Sequence, residues 1–356
     1  MTMRYCPRCG VPRMLSNEHR WDPSGTISLA RDASHRMVIL DNDALDHVLD
    51  SISERIGMPL DQIIVEAKRK SARHFMEALL SGVKGVVVRK FAGKKVYEQL
   101  AKQVNMLGSG NATMTDYRRH QYVDGAVTDP FNGPCIAGDI CGAFESVEGC
   151  TAGAEFHYDP DGILRIRVSR NEGLRSEYED RFSYVPRPAL SGRNIYELCP
   201  VCRAPLALGD QYSFDMDRGV IREDKTGHRV ILIGVMTLNN IFGELAGELG
   251  EEIPHMIMEI EKDRVAQVIR EKGKDLDSSE QGYLRYARTL QLRGMGNGSE
   301  VRTAGESITV RIDNPYFEPL IAGFIAGFYE ATTGRAATAS WTEATPGYSE
   351  ITVKPA

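Results

Sequence analysis

Four cysteines carry the most specific chemical signal in the chain. Cys6 and Cys9 sit in YCPRCGVP, Cys199 and Cys202 in LCPVCRAP. Two thiolates three residues apart on a tight turn chelate one metal ion, and a second such turn completes a tetrahedron. Each pair therefore reads as half of a zinc-ribbon site. One shared zinc held by Cys6, Cys9, Cys199 and Cys202 requires the two knuckles to meet. A rival arrangement gives each knuckle its own metal, completed by His19 or His35 on one side and by His228 on the other. A third leaves the pairs as unmetallated or redox-active thiols. Proline after the first cysteine and a hairpin downstream do not suit a redox pair, which opens a helix after a strand.

The other candidates are weaker. Cys135, Cys141 and Cys150 occur only in the first half of the chain. They read as small buried hydrophobes, or, for Cys141, one turn from Phe144 and Glu145, as a group lining a pocket for a ligand or metal. His35 and His228, beside Arg36 and Arg229, read as structural polar residues or as ligand anchors. Aromatic and methionine residues at helical spacing, among them Met256, Tyr283, Tyr286, Phe324 and Phe328, suit a core first and a cavity wall second. GSGN and GMGNG lack the Lys-Ser/Thr of a phosphate loop and read as turns. No G-x-S-x-G, H-E-x-x-H or kinase signature occurs, and no catalytic triad can be assembled.

The elements that must position these groups are written twice. Cys199 lies 193 residues after Cys6, and at the same spacing HRMVIL (35–40) answers HRVILI (228–233). Leu45, Val48, Ile52, Gly57 and Leu60 then fall opposite Leu238, Ile241, Leu245, Gly250 and Ile253. Further on the spacing shrinks. GSGNA (108–112) meets GMGNG (294–298), and IAGDICGAFESVEG (136–149) meets IAGFIAGFYEATTG (321–334). The pattern is that of a tandem duplication, with copies over 1–170 and 195–356 and a charged, proline-bearing linker over 171–194.

Within each copy the knuckle precedes a hairpin (WDPSGTI; FDMDRGVI) and a β-rich run. An amphipathic helix follows over 43–56 or 236–249, capped by Gly57 or Gly250. Helical pattern continues to about 80 and 272, and again over 94–106 and 280–292. Each copy closes with a strand pair, a small-residue helix (134–148; 318–333) and two more strands. Helices and antiparallel strands without a βαβ rhythm predict an α+β fold, here as two pseudo-two-fold related copies of a helix plus antiparallel-sheet domain.

HRVILIGVMTLNNIFGELAGELGEEIPHMIMEI and PLIAGFIAGFYEATTGRAATASWTE resemble the vinyl-4-reductase-type, or hydrocarbon-binding, domain. The first copy shares the resemblance through the duplication. The resemblance implies an enclosed apolar pocket for a small hydrophobic or aromatic molecule, built here around Cys141, Phe144, His157, Phe324, Phe328 and Trp341. It also implies pairing about a two-fold axis. Family members often end in a cysteine-bearing metal motif, whereas AEFHYDPDGIL and ASWTEATPGYS contain no cysteine.

At 356 residues the chain is long enough for two domains, each with its own core. A net charge of −6 makes nucleic acid an unlikely partner. No apolar stretch reaches the roughly 20 residues of a membrane span. The N-terminus lacks a secretory pattern, and a cytosolic location follows as an expectation. The expected function is a sensor or carrier for a small hydrophobic or aromatic molecule, with structural zinc and a possible regulatory partner protein. The alternatives are an enzyme or accessory factor acting in the first-copy pocket and a structural interaction scaffold.

Overall fold

The computed structural model describes residues 4–80, 93–171, 173, 186–193, 195–271, 276–343 and 347–356. Of the expected linker, 171, 173 and 186–193 are described and form no helix or strand, while 172, 174–185 and 194 lie outside the described residues.

Each knuckle is closed by its own backbone. The Cys6 N–H donates to the Val11 carbonyl (2.8 Å) and the Cys199 N–H to the Ala204 carbonyl (2.7 Å). The turns return through a left-handed residue, Gly10 (φ 71°) in one and Arg203 (φ 65°) in the other. Short helices follow, α1 (Arg13–Glu18) and, later, α6 (Leu206–Gln211). Neither was read from the sequence, because one and a half turns are too short to show a helical period.

The hairpin strands β1 (His19–Asp22) and β2 (Thr26–Leu29) lead into β3 (Asp32–Asp41). Their counterparts are β8 (Tyr212–Asp215), β9 (Val220–Glu223) and β10 (Arg229–Gly234). All six form one antiparallel sheet in the order β1-β2-β3-β10-β9-β8, so the halves join through β3 and β10. In that pairing Ile39 faces Leu232, its own equivalent 193 residues on. The pairs on either side, Val38 with Ile233 and Leu40 with Ile231, exchange under the same relation. A local two-fold axis therefore passes between Ile39 and Leu232.

Side chains alternate across a strand, and here both faces are covered. Val38, Leu40, Ile231 and Ile233 face the helices, whereas Met37, Ile39, Val230 and Leu232 face the knuckles. That double burial is why both strands read as unbroken apolar runs rather than as alternation.

Beyond the sheet, the first half contributes α2 (Asn42–Ile56), α3 (Asp61–Leu79), α4 (Gly93–Met106), β4 (Asn111–Arg118), β5 (Tyr122–Thr128), α5 (Gly133–Glu148), β6 (Ala152–Tyr158) and β7 (Leu164–Arg170). The second half contributes α7 (Val235–Leu249), α8 (Ile253–Glu271), α9 (Glu280–Arg288), β11 (Asn297–Ala304), β12 (Ser307–Asp313), α10 (Glu318–Thr333), β13 (Ala337–Trp341) and β14 (Tyr348–Pro355). Each set of four strands makes its own sheet, in the orders β4-β5-β7-β6 and β11-β12-β14-β13. The fold class is α+β, with the same order of elements in each half.

The halves interlock. Within each half α3 packs on α5 and α8 on α10, but α3 also packs on α7 and α8 on α2, across the axis. One continuous apolar cluster runs from Val38 to Val353 through both halves. Separate cores, the expectation from chain length, are not what the apolar residues build, because the helices that would close each core are supplied partly by the other half. No helix among the described residues is long and apolar enough to cross a membrane.

Candidate functional site

The fold brings two groups of chemistry-bearing residues together, one at the knuckles and one in a first-half cavity.

On the knuckle face, the two-fold axis that pairs Ile39 with Leu232 also sets knuckle against knuckle. Cys6 Sγ lies 3.8 Å from Cys199 Sγ and Cys9 Sγ lies 3.4 Å from Cys202 Sγ, each cysteine facing its own equivalent. All four sulfurs lie within 4.8 Å of one another. A tetrahedral metal with bonds of about 2.3 Å to sulfur separates its ligands by about 3.8 Å, so the four can hold a metal ion such as zinc. Burial opposes ionisation of Cys6, but N–H groups of Arg8 and Cys9 donate to its sulfur and bring it down to about 6. Burial likewise opposes ionisation of Cys199, and the N–H groups of Cys202 and Val201 outweigh it and lower the thiol. Burial raises the thiols of Cys9 and Cys202, so backbone donors favour thiolate at Cys6 and Cys199 alone.

No histidine joins this cluster. His19 is buried with Nδ1 3.0 Å from the Leu15 carbonyl, His35 borders the first-half cavity with its ring against Phe75, and His228 stands at the turn before β10. The two-metal arrangement drawing on those histidines does not assemble.

The first half contains a cavity of about 190 Å³, bordered by its helices and, from the sheet, by Met37 and Leu232 as well. Its walls are Ser71, Ala72, Phe75 and Met76 of α3, Tyr97, Leu100 and Val104 of α4, Met114 and Val123 of the sheet, and Ile136, Ile140 and Ala143 of α5. The second half closes it with Ile231 and Ile233 of β10 and with Met236 and Thr237 at the start of α7. An engineered apolar cavity of about 150 Å³ is enough to bind benzene, which sets the scale of a guest at one ring with a small substituent.

One corner is polar. Lys68 Nζ lies 3.0 Å from an Asp139 carboxylate oxygen and donates to Thr237 Oγ1 at 3.2 Å. Burial pushes the Asp139 carboxyl up, against the pull of Lys68. The Asp139 side chain keeps 35% of its surface accessible although the residue lines the cavity, so that surface faces the cavity space. His35 reaches the same cavity with its ring 5.0 Å from that of Phe75, and burial pushes it down to about 4, leaving it neutral. The corner as a whole is close to charge-neutral, with an acceptor turned inward.

The corresponding region of the second half is largely filled, with about 50 Å³ remaining. Arg293 is held by Asp41 through two hydrogen bonds (3.1 and 2.6 Å), and Arg264 by Glu261 through two more (both 2.8 Å). Where the second-half region is bordered by Arg293, Arg264, Tyr286 and Phe328 and by Asp41 from across the axis, the corresponding positions around the first-half cavity are Leu107, Ser71, Leu100, Ala143 and Gly234. Each exchange removes bulk. That signal is present in the sequence, as large-for-small differences between corresponding positions of the two halves.

None of Cys141, Phe144, His157, Phe324, Phe328 and Trp341 lines the first-half cavity. Cys141 is buried behind α5, where its thiol donates to the Ala152 carbonyl (3.5 Å) and burial raises its pKa. Phe144 packs under Tyr97. His157 is exposed on β6. Phe324 borders the small second-half cavity, Phe328 stacks on Tyr286, and Trp341 packs on His255. The inward face of α5 is the one bearing Ile136, Asp139, Ile140 and Ala143. Cys141 and Phe144 point away from it by helical geometry.

No family model matches the chain, and no curated protein matches it. Among solved structures, parts of the chain are similar to the phenol-responsive sensory domain of the transcription activator PoxR with phenol, at 15% identity over 42% of this chain and 87% of that one, TM-score 0.34. A structure probing heme distortion in the H-NOX family matches at 12% identity over 33% of this chain and 70% of that one, TM-score 0.24. A mutant T. tengcongensis H-NOX matches at 12% identity over 35% of this chain and 74% of that one, TM-score 0.24.

Proposed function

We propose that the chain is a binding protein, a sensor or carrier, for one small uncharged aromatic or hydrophobic molecule that can donate a hydrogen bond. The guest sits in the first-half cavity, and a structural zinc held by Cys6, Cys9, Cys199 and Cys202 ties the halves at the seam. The observation that carries the reading is the apolar cavity of about 190 Å³ with Lys68, Asp139 and Thr237 at one corner. Apolar burial supplies affinity at about 25 cal/mol per Å². The corner supplies orientation, since an apolar group placed against Asp139 would leave a carboxylate oxygen desolvated and unpaired. A carboxylate guest is repelled by the same oxygen.

The cavity supports binding over a purely structural module, whose core would be filled as the second half is. The buried, raised thiol of Cys141 lacks the accessibility and thiolate character of a nucleophile, which weighs against the enzyme reading through that residue. The proposal retains the hydrocarbon-binding resemblance, two copies over 1–170 and 195–356, a cytosolic location and a regulatory partner that reads the bound state.

Fluorine NMR of the full chain with 4-fluorophenol, fluorobenzene and 4-fluorobenzoate tests it. One equivalent of 4-fluorophenol binds, fluorobenzene binds more weakly and 4-fluorobenzoate does not bind. Asp139→Asn lowers 4-fluorophenol affinity about tenfold and leaves fluorobenzene unchanged, as loss of a charged acceptor predicts. Failure of all three probes to bind sinks the reading.

A further inference from the structure

We infer that the guest of the first-half cavity is a single flat ring lying where the Tyr286 ring lies in the second half, and that Leu100 and Ala143 set its size. The inference rests on the binding reading above and adds a location and a shape to it.

The two halves supply an internal comparison. Tyr97 of α4 and Tyr283 of α9 are repeat partners, as are Phe144 of α5 and Tyr329 of α10. The ring pair Tyr97–Phe144 has its centroids 6.3 Å apart at 29°, and Tyr283–Tyr329 has 6.5 Å at 31°. The two helices therefore stand at the same separation and in the same register in both halves. Three residues beyond each tyrosine, the next position on the same helix face is Tyr286 in the second half and Leu100 in the first.

Tyr286 turns its ring into the space between the helices. It lies nearly parallel to Phe324 (4.2 Å between centroids, 9°) and to Phe328 (4.0 Å, 13°). The repeat partners of these three residues are Leu100, Asp139 and Ala143, and all three line the first-half cavity. The space between equally spaced helices is thus filled by stacked rings in one half and left open in the other. The cavities differ by about 140 Å³ (190 against 50), the scale of a benzene-binding cavity. A flat guest restores the missing layer. Its faces meet aliphatic surface, and its edge meets Asp139, which replaces Phe324. The second half is in this sense a self-filled copy of the site, with Tyr286 as its guest.

The test is to rebuild that filling in the first half. In the full-length Leu100→Tyr/Ala143→Phe variant, 4-fluorophenol binding followed by fluorine NMR is lost, while thermal unfolding shows a midpoint equal to or above that of the unmodified chain. Binding within twofold of the unmodified chain overturns the assignment. Should the double variant fail to fold, Ala143→Leu weakens binding at least tenfold, and an unchanged affinity overturns the assignment equally. Tyr286→Leu leaves first-site affinity unchanged and adds a second, weaker equivalent of bound probe. An unmodified chain that binds no ring probe removes the binding reading and this inference together. Normal binding that persists in the filled variants removes this inference alone.

Discussion

His19 is buried at the start of β1, where it borders the first-half cavity, and burial holds its imidazole down to about 4, with the Leu15 carbonyl opposing. An unfolded histidine titrates near 6.5. Between those values the unfolded chain takes up a proton that the folded chain refuses, so stability is retained above pH 6.5 and lost as the pH falls toward 4. By pH 5 the loss from this residue is about 2 kcal/mol. The His19→Gln variant, compared with the unmodified chain by urea unfolding at pH 7 and pH 5, shows a pH-induced loss smaller by about that amount. An equal loss in both would mean that His19 is charged, or solvated, in the folded state.

The helices depend on glycine where they cross. Gly138 and Gly142 on α5, and Gly323 and Gly327 at the corresponding positions of α10, let backbone touch backbone. A Cβ on Gly142 would stand 2.2 Å from the Arg69 carbonyl oxygen and 2.8 Å from the Arg73 nitrogen. A Cβ on Gly327 would meet the Lys262 carbonyl oxygen at 2.6 Å. These neighbours are helix backbone and cannot rotate aside. Gly142→Ala therefore costs about 1–3 kcal/mol, the range for overpacking a close-packed contact, read as a lower urea midpoint with unchanged slope. Because α3 carries Lys68 and α5 carries Asp139, separating them also loosens the polar corner. The same variant should bind 4-fluorophenol more weakly, and an unaltered midpoint would show that the helices are less tightly crossed than described. Ion pairs across the same crossing, such as Arg69 with Glu145 (2.7 Å), would be strained by the same shift.

At the scale of the whole molecule, two joints hold the halves: the β3/β10 pairing with its crossed helices, and the four thiols. The first is extensive, so under the proposal of a metal at the thiols its removal weakens the chain without dissolving it. A metal that binds only the folded state stabilises by about 4 kcal/mol when its free concentration is a thousand times Kd. Native mass spectrometry of protein purified without chelator should show one zinc per chain. Cys199→Ser should abolish it and lower the unfolding midpoint by roughly 5 °C. Two zincs, or none, in the unmodified chain would end the shared-site proposal. The linker side of the molecule is held differently. Asn314 accepts from the Leu190 N–H (2.7 Å) and donates to the Ser24 and Leu190 carbonyls, and Gln291 accepts from the Ile195 N–H (2.8 Å) and donates to the Arg193 and Pro23 carbonyls. Two buried amides thus pin the described part of the strap to both halves.

By itself, the sequence determined what depends on local order. Periodicity placed the amphipathic helices and the late strand pairs, because side-chain burial repeats every 3.6 or 2 residues whatever the partner. Glycine placed the ends: Gly57 closes α2 in the left-handed conformation and Gly250 closes α7. Residue type and spacing singled out Cys6, Cys9, Cys199 and Cys202. Only the tertiary structure decided that β3 of one half pairs with β10 of the other, which sets equivalent residues face to face and makes two knuckles one cluster. It also decided that the cavity belongs to the first half and is lined by Leu100, Asp139 and Ala143 rather than by the shared aromatics. The physical reason is that a cavity is a property of what several elements leave unfilled. Helical period tells which face of α5 turns inward, but not how far away the next helix stands or whether its side chain reaches across.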